Sequence, residues 1–159
     1  MLQEKSQIEF KSKMGIKGKA HLRLFGPDGE LKEERIIYNT VTELMDAHVA
    51  DQMSDSADAG IGFMAVGTGT GQGSSSTGLA IALDINALTS TTQGSGGADN
   101  DVVYVGDWIA GDGTGALTEA GLFLLSNNTT LMLVASFSVV NKGALDTLQI
   151  TWTATFGAS

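Results

Sequence analysis

The chain has no cysteine. Disulfides, thiolate nucleophiles and cysteine-based zinc sites are thereby excluded, and stability must come from packing, hydrogen bonds or assembly. Proline occurs once, at Pro27, and histidine twice, at His21 and His48. Neither histidine has a metal-site partner at a spacing such as HExxH. Serines abound, but no G-x-S-x-G elbow presents one as a nucleophile. No apolar run approaches the roughly 18–20 residues of a membrane-spanning helix. The opening MLQEKSQIEF lacks the charged-then-apolar pattern of a signal peptide. These absences predict a soluble, non-enzymatic protein with no cofactor, no metal and no membrane partner.

Basic residues are scarce beyond the first 35 positions. Residues 1–35 carry eight basic and six acidic groups, whereas residues 36–159 carry Lys142 against twelve acids. The formal charge of −9 thus divides into +2 and −11. An acidic body argues against nucleic acid as a partner.

Glycine is plentiful, with 21 in 159 residues, and no G-X-Y period accompanies it. Such a chain has many tight turns and loops. Residues 1–14 read as an extended N-terminal arm, and 15–159 as a single β-rich domain. From Gly15 to Phe25 the pattern alternates. Ile16, Ala20, Leu22 and Leu24 point one way, and Lys17, Lys19, His21 and Arg23 the other, as in a half-buried strand. Gly26-Pro27-Asp28-Gly29 is a turn, and Leu31 to Tyr38 completes a hairpin. Thr40-Val41-Thr42-Glu43 fits a capping box. It opens one short helix that ends near Asp55, with Val41, Leu44, Met45, His48, Gln52 and Met53 at helical spacing. Asp46, Asp51, Asp55 and Asp58 are expected on its wet face or in the following loop.

Ile61 to Val66 reads as a short strand. Leu79 to Leu88 is ambiguous between helix and strand. Leu88 to Thr92 leans to strand, and Val102 to Ala110 is a strand in which Val103, Val105 and Ile109 alternate with Tyr104 and Trp108. From Leu117 to Phe156 three apolar runs separated by SNNTT and NKGALD predict an antiparallel meander. Its last run places Leu148, Ile150, Trp152, Ala154 and Phe156 on one face and Gln149, Thr151, Thr153 and Thr155 on the other. About eight strands and one helix predict a mainly β fold, an antiparallel sandwich or barrel-like domain.

Three segments invite a chemical reading. Gly67–Gly78, GTGTGQGSSSTG, resembles a phosphate loop in composition, but no lysine lies between Lys32 and Lys142. GxxxxGK[ST] and GxGxxG both fail, leaving a flexible surface loop. Asp99, Asn100 and Asp101, with Asp107 and Asp112, offer hard oxygens for calcium. The D-x-[DN]-x-[DN]-G loop is absent, and turn residues bonding their own backbone are the simpler expectation. Asn127-Asn128-Thr129-Thr130 holds two overlapping glycosylation sequons in what reads as a turn. Trp108, Trp152, Phe123, Phe137 and Phe156 are expected in the core.

Five segments carry a family resemblance: Met64–Thr70, Leu88–Ser90, Asn100–Tyr104, Leu117–Phe123, and Val140–Lys142 with Asp146–Trp152. Together they cover about Phe63 to Gly157 and resemble small virion structural proteins of tailed bacteriophages. The resemblance implies a non-enzymatic β-sandwich on the virus particle, often repeated as an oligomer. The expectation is a capsid decoration or cement protein, a homotrimer on the virion's outer surface, bound to the major capsid protein. The arm, through Lys5, Lys11 and Lys13, would contact the capsid or an adjacent subunit. A tail or baseplate component is an alternative. So is a carbohydrate-binding module or enzyme using the Gly-rich loops and Tyr104 or Trp108.

Overall fold

The alternation between Gly15 and Phe25 becomes strand β1 (Gly15–Phe25), and the Pro27 turn returns the chain as β2 (Leu31–Tyr38). The Gly29 amide donates to the Gly26 carbonyl at 3.0 Å, closing the turn, and Gly29 adopts φ +80°, a conformation that favours glycine. These strands belong to a computed structural model that describes residues 15–54 and 59–158. It continues with β3 (Thr40–Val41), helix α1 (Glu43–Ser54), β4 (Phe63–Gly67), β5 (Ala82–Ala87) and β6 (Ser90–Gln93). Then follow β7 (Asp101–Trp108), β8 (Gly115–Phe123), β9 (Leu131–Lys142) and β10 (Thr147–Ala158).

The strands form two antiparallel five-stranded sheets, ordered β2-β1-β10-β7-β6 and β3-β9-β8-β4-β5. The fold is therefore a mainly β, sandwich-like one, with a single α-helix among the described residues, and not a closed barrel. Among the described residues ten strands form where about eight were expected. The ambiguous Leu79–Leu88 stretch resolves into β5, and Leu88–Thr92 into β6, which starts two residues later and ends one later.

Two sequence expectations are corrected. The final three runs are not one meander: β8 and β9 pair, but β10 crosses to the other sheet and lies between β1 and β7. Alternation sets which face of a strand is apolar but not which strand it joins, and both sheets need the same inward pattern. The helix cap also shifts by two residues. Thr40 sits in β3, and Thr42 caps α1, its hydroxyl oxygen accepting the Met45 amide at 3.3 Å while donating to the Leu131 carbonyl at 2.6 Å. Glu43 and Asp46 in the first turn suit the positive helix N-terminus. Met45 is buried and Leu44 and Val49 pack beside it, but Met53 is exposed. Asp46 is exposed and Asp51 half-buried, while Asp55 and Asp58 lie outside the described residues.

The main core fills the space between the sheets. Ala20, Leu22, Leu24, Leu148, Ile150, Trp152 and Trp108 come from one side; Met64, Val66, Leu117, Leu122, Leu133 and Val140 from the other. Both tryptophans are fully buried, as expected, and Phe137 and Phe156 pack at the margin. Each buried Leu-sized side chain contributes about 1.5–3 kcal/mol relative to exposure. The Trp152 indole N–H donates to Asn39 Oδ1 at 2.9 Å. At one flank Arg35 donates to the Ser138 carbonyl at 2.7 Å and the Val139 carbonyl at 3.1 Å, tying β2 to β9 across the two sheets. Phe123 lies in a second, smaller cluster with Ala65, Leu79, Leu131 and Val134.

Tyr104 is also buried, and desolvation pushes its phenol up to about 12 from an ordinary 10.0. The unfolded chain then ionises first as the pH rises. This contribution to stability is complete below the unfolded value and is lost as the pH climbs through the folded one, amounting to about 2–3 kcal/mol. Denaturant unfolding followed from about pH 9 to about pH 12 should show a shallower alkaline loss in Tyr104→Phe than in the parent. Parallel curves for the two proteins would exclude the phenol as the cause.

Candidate functional site

The glycine-rich segment after β4 is not a free loop. It crosses the outer face of the second sheet and is pinned by Glu119, which projects from β8 and is fully buried. The carboxylate accepts from the Gly69 and Ile81 amides at 2.9 Å each through Oε1. Through Oε2 it accepts from the Ala80 amide at 3.0 Å and the Gln72 side-chain amide at 2.9 Å. Thr118 adds a hydroxyl bond of 2.6 Å to the Gly69 carbonyl. A Cβ on Gly67 or Gly69 would stand 2.5 or 2.7 Å from Glu119 Oε1, so close approach requires glycine at both.

The far end of the crossing is held too. Asn128 accepts the Leu79 amide at 2.8 Å and donates to the Leu79 carbonyl at 2.9 Å, as a neighbouring strand would. The Glu43 amide donates to Ser74 and the Leu131 amide to Thr77. The expectation of a flexible loop is therefore corrected. Backbone amides do converge on an oxyanion, as in a phosphate loop, but the oxyanion is the protein's own carboxylate. The signal in the sequence was one acid inside an otherwise apolar strand, LTEAGLF, together with a glycine run that has no lysine. The sequon turn is also recast, since the Asn128 side chain is committed to Leu79.

The residues proposed for calcium are spread along the fold. Asp101 and Asp107 lie at opposite ends of β7, six residues or about 20 Å apart. Both Asp107 oxygens are engaged, by Gln149 at 3.0 Å and Thr89 at 2.6 Å. Gln149 in turn accepts from Arg23, which continues a polar row across the outer face of the first sheet. Among the described residues no three His, Asp or Glu side chains gather as a metal site. His21 lies on the polar face of β1, as expected, 2.5 Å from Glu34, and His48 is half-buried on α1. Lys5, Lys11 and Lys13 lie outside the described residues. Tyr104 and Trp108 are buried and offer no ring face to a sugar.

The end of the sandwich holding the β7–β8 and β9–β10 turns brings together groups that sequence reasoning left apart. Lys142 is buried at the end of β9 and donates to the Ile109 carbonyl at 3.1 Å. Burial lowers its ammonium below the ordinary lysine value, and the carboxylates of Asp146, Asp112 and Asp84 oppose that shift. Asp146 accepts from Lys32 at 2.8 Å and from the Gly143 amide at 2.7 Å. These bonds, Lys32 first, hold its carboxyl below the ordinary range. Its contribution is therefore present at neutral pH and is lost in acid as the pH falls through the lowered value. Asp84 is raised, by burial and then by the facing charge of Asp112.

A cleft of about 310 Å³ opens beside this cluster, with Asp84, Asp112, Thr114 and Leu83 in its wall. Around this end Leu31, Leu83, Ile109 and Leu145 stand exposed, Ile109 at 65% and Leu145 at 67%. Register places Leu31, Ile109 and Leu145 together, and Leu83 of the other sheet reaches the same end through the cleft it lines with Gly111 and Asp112. Phe25 pairs with both Leu31 and Thr147, and Leu148 pairs with Trp108, so Leu145 and Ile109 follow directly on adjacent strand ends. The Gly111 amide bonds the Ala144 carbonyl at 2.8 Å, joining the two turns. The result is an apolar rim on a rigid, ion-paired base. No family model matches the chain, and no curated protein or solved structure matches it either.

Proposed function

We propose that this protein is a non-enzymatic virion structural protein of a tailed bacteriophage, a decoration or cement protein that binds the outside of the capsid and stabilises it. The observation that carries the reading is the apolar rim of Leu31, Leu83, Ile109 and Leu145. Exposed apolar side chains gathered on one rigid end mark interaction surfaces. Leu117–Phe123 and Asp146–Trp152, which resemble phage virion proteins, both lead out of this same end. In this reading the rim meets the major capsid protein, the protein repeats as a homotrimer, and the basic arm at residues 1–14 reaches a neighbouring subunit. Bound copies stabilise the shell by mass action, each adding its binding free energy to the assembled state.

Counting the chain against the major capsid protein in purified particles tests this directly. Hundreds of copies per particle are expected. A handful would assign the protein to the tail or baseplate, and none would end the virion reading. On particles stripped of the protein, rebinding of the doubly substituted Ile109→Asp, Leu145→Asp chain should fall by about tenfold or more, a loss of about 1.4 kcal/mol. Its fold should persist, because both positions are solvent-exposed. Unchanged rebinding would remove the rim from the contact.

A further inference from the structure

Two gradients run across the outer face of the first sheet, and register defines the rows along which they run. In one row Tyr38 of β2 is followed by Lys19, Thr153 and Val103, and ends at Thr92 of β6. The next row runs from Ile36 through His21, Thr151 and Val105 to Ser90. A third holds Arg23, Gln149 and Asp107. The first gradient is one of size. The β2 edge presents Tyr38 and Ile36, 79% and 58% exposed, whereas the β6 edge presents only Ser90 and Thr92. The second gradient is one of charge. Lys19 and Arg23 stand on β1, while Asp101 and Asp107 stand on β7. Glu34, beside Arg23, is taken by His21. Arg23 and Asp107 both hydrogen-bond the neutral Gln149, and neither forms an ion pair among the described residues. Between the two charged strands lie the uncharged, half-buried Thr151 and Thr153 of β10.

Both gradients reverse under the same operation. A two-fold axis parallel to β10 lays one such face on another so that each row meets itself turned end for end. Tyr38 and Ile36 then stand over the small Thr92 and Ser90 of the second copy, and Arg23 stands over its Asp107. Thr151 and Thr153 meet their own counterparts at the axis. A two-fold along the rows instead sets β1 on β1, basic group against basic group, and like charges across a contact are costly. We propose that this face is the contact between two copies of the chain, packed sheet on sheet about such an axis. Contacts of this isologous kind are the commonest in soluble oligomers, and stacked sheets lie about 10 Å apart. Five strands and seven residues along each make a face of about 500 Å² per copy. The pair covers about 1,000 Å², the lower bound of a specific interface, and so is a weak one. Because the axis runs along the strands, both apolar rims come to lie at the same end of the pair. The assignment stands apart from the capsid reading, since it concerns isolated chains, and a three-fold repeat would use other surfaces.

The test is sedimentation equilibrium of the purified full chain. A monomer–dimer equilibrium is expected, half-complete on the order of 0.1 mM and weaker as salt rises. Arg23→Asp and Asp107→Arg should each weaken it by about tenfold or more, and the chain carrying both should recover to within about threefold of the parent. Thr153→Glu sets two like charges together at the axis and should also weaken pairing by about tenfold or more. Thermal unfolding close to the parent's checks that each variant is folded. The absence of cysteine makes a single introduced thiol unique. A short bismaleimide should therefore join two copies of Thr153→Cys but not of Ser75→Cys, on the opposite sheet's glycine-rich crossing. A chain that stays monomeric at several times 0.1 mM would overturn the assignment. So would a dimer or trimer indifferent to Thr153→Glu, or a failure of the exchanged pair to recover.

Discussion

Replacing Glu119 by alanine is expected to destabilise the protein by about 3–5 kcal/mol, because four donors lose their shared acceptor inside the fold. The loss should exceed that of an ordinary surface substitution, which is usually within about 0.5 kcal/mol. Glu119→Gln is a sharper probe. It keeps the volume, but its NH₂ group faces two N–H donors, so a loss of about 1–3 kcal/mol is expected. Denaturant unfolding gives the energies, and amide hydrogen exchange locates them. Protection at Gly69, Ala80 and Ile81 should fall well before that of β1 and β10. If those three amides exchanged no faster in either variant, Glu119 would not be what holds the crossing in place.

The second large effect lies in the main core. Trp152→Ala should cost about 3–5 kcal/mol, combining lost transfer energy with the cavity left behind. For a domain of this size that corresponds to a melting temperature lower by roughly 6–20 °C. It also strips Asn39 Oδ1 of its indole donor. Trp152→Phe helps to separate the two contributions, since it keeps a six-membered aromatic ring in the core while removing the N–H and only part of the indole's volume. A thermal scan of both variants decides between them. Equal losses would assign the indole's worth to its hydrogen bond, and a much smaller loss in Trp152→Phe would assign it to packing.

Much of the fold was legible in single strands. The bounds of β1 and β2 and the inward set Leu148, Ile150, Trp152 and Ala154 follow from alternation, because a strand with one wet face must write that face into its sequence. The helix was legible too, although its cap was placed two residues early because Thr40, and not Thr42, has an acid, Glu43, three residues on. Strand partnership was not legible. Nothing in Thr147–Ala158 distinguishes pairing with β9 from pairing with β1, since both choices bury the same side chains. The functional surfaces were harder still. Ile109 reads as the end of a strand and Leu145 as part of a polar turn, and only the folded chain sets them side by side. Lys142 reads only as the one basic residue of an acidic body until Ile109 and Asp146 are seen beside it. Tyr38 drew no notice, being the last residue of a strand, yet it stands as an exposed aromatic at the end of β2.

The position of β10 bears on how the protein comes into being. Without it, β1–β2 and β7–β6 are two separate hairpins, and the first sheet has no middle. Arg23 and Gln149, which meet across the β1–β10 seam, are 126 positions apart in the chain. During synthesis the first hairpin therefore emerges with one long edge unpaired and waits for nearly the whole domain to follow. Seams between such distant partners assemble slowly, commonly in milliseconds to seconds, because the intervening chain must be gathered first. The newborn protein is thus most vulnerable to sticking to its own siblings during that interval. The charges at Lys17, Lys19 and Arg23, on the outer face of the waiting strand, act as its guard.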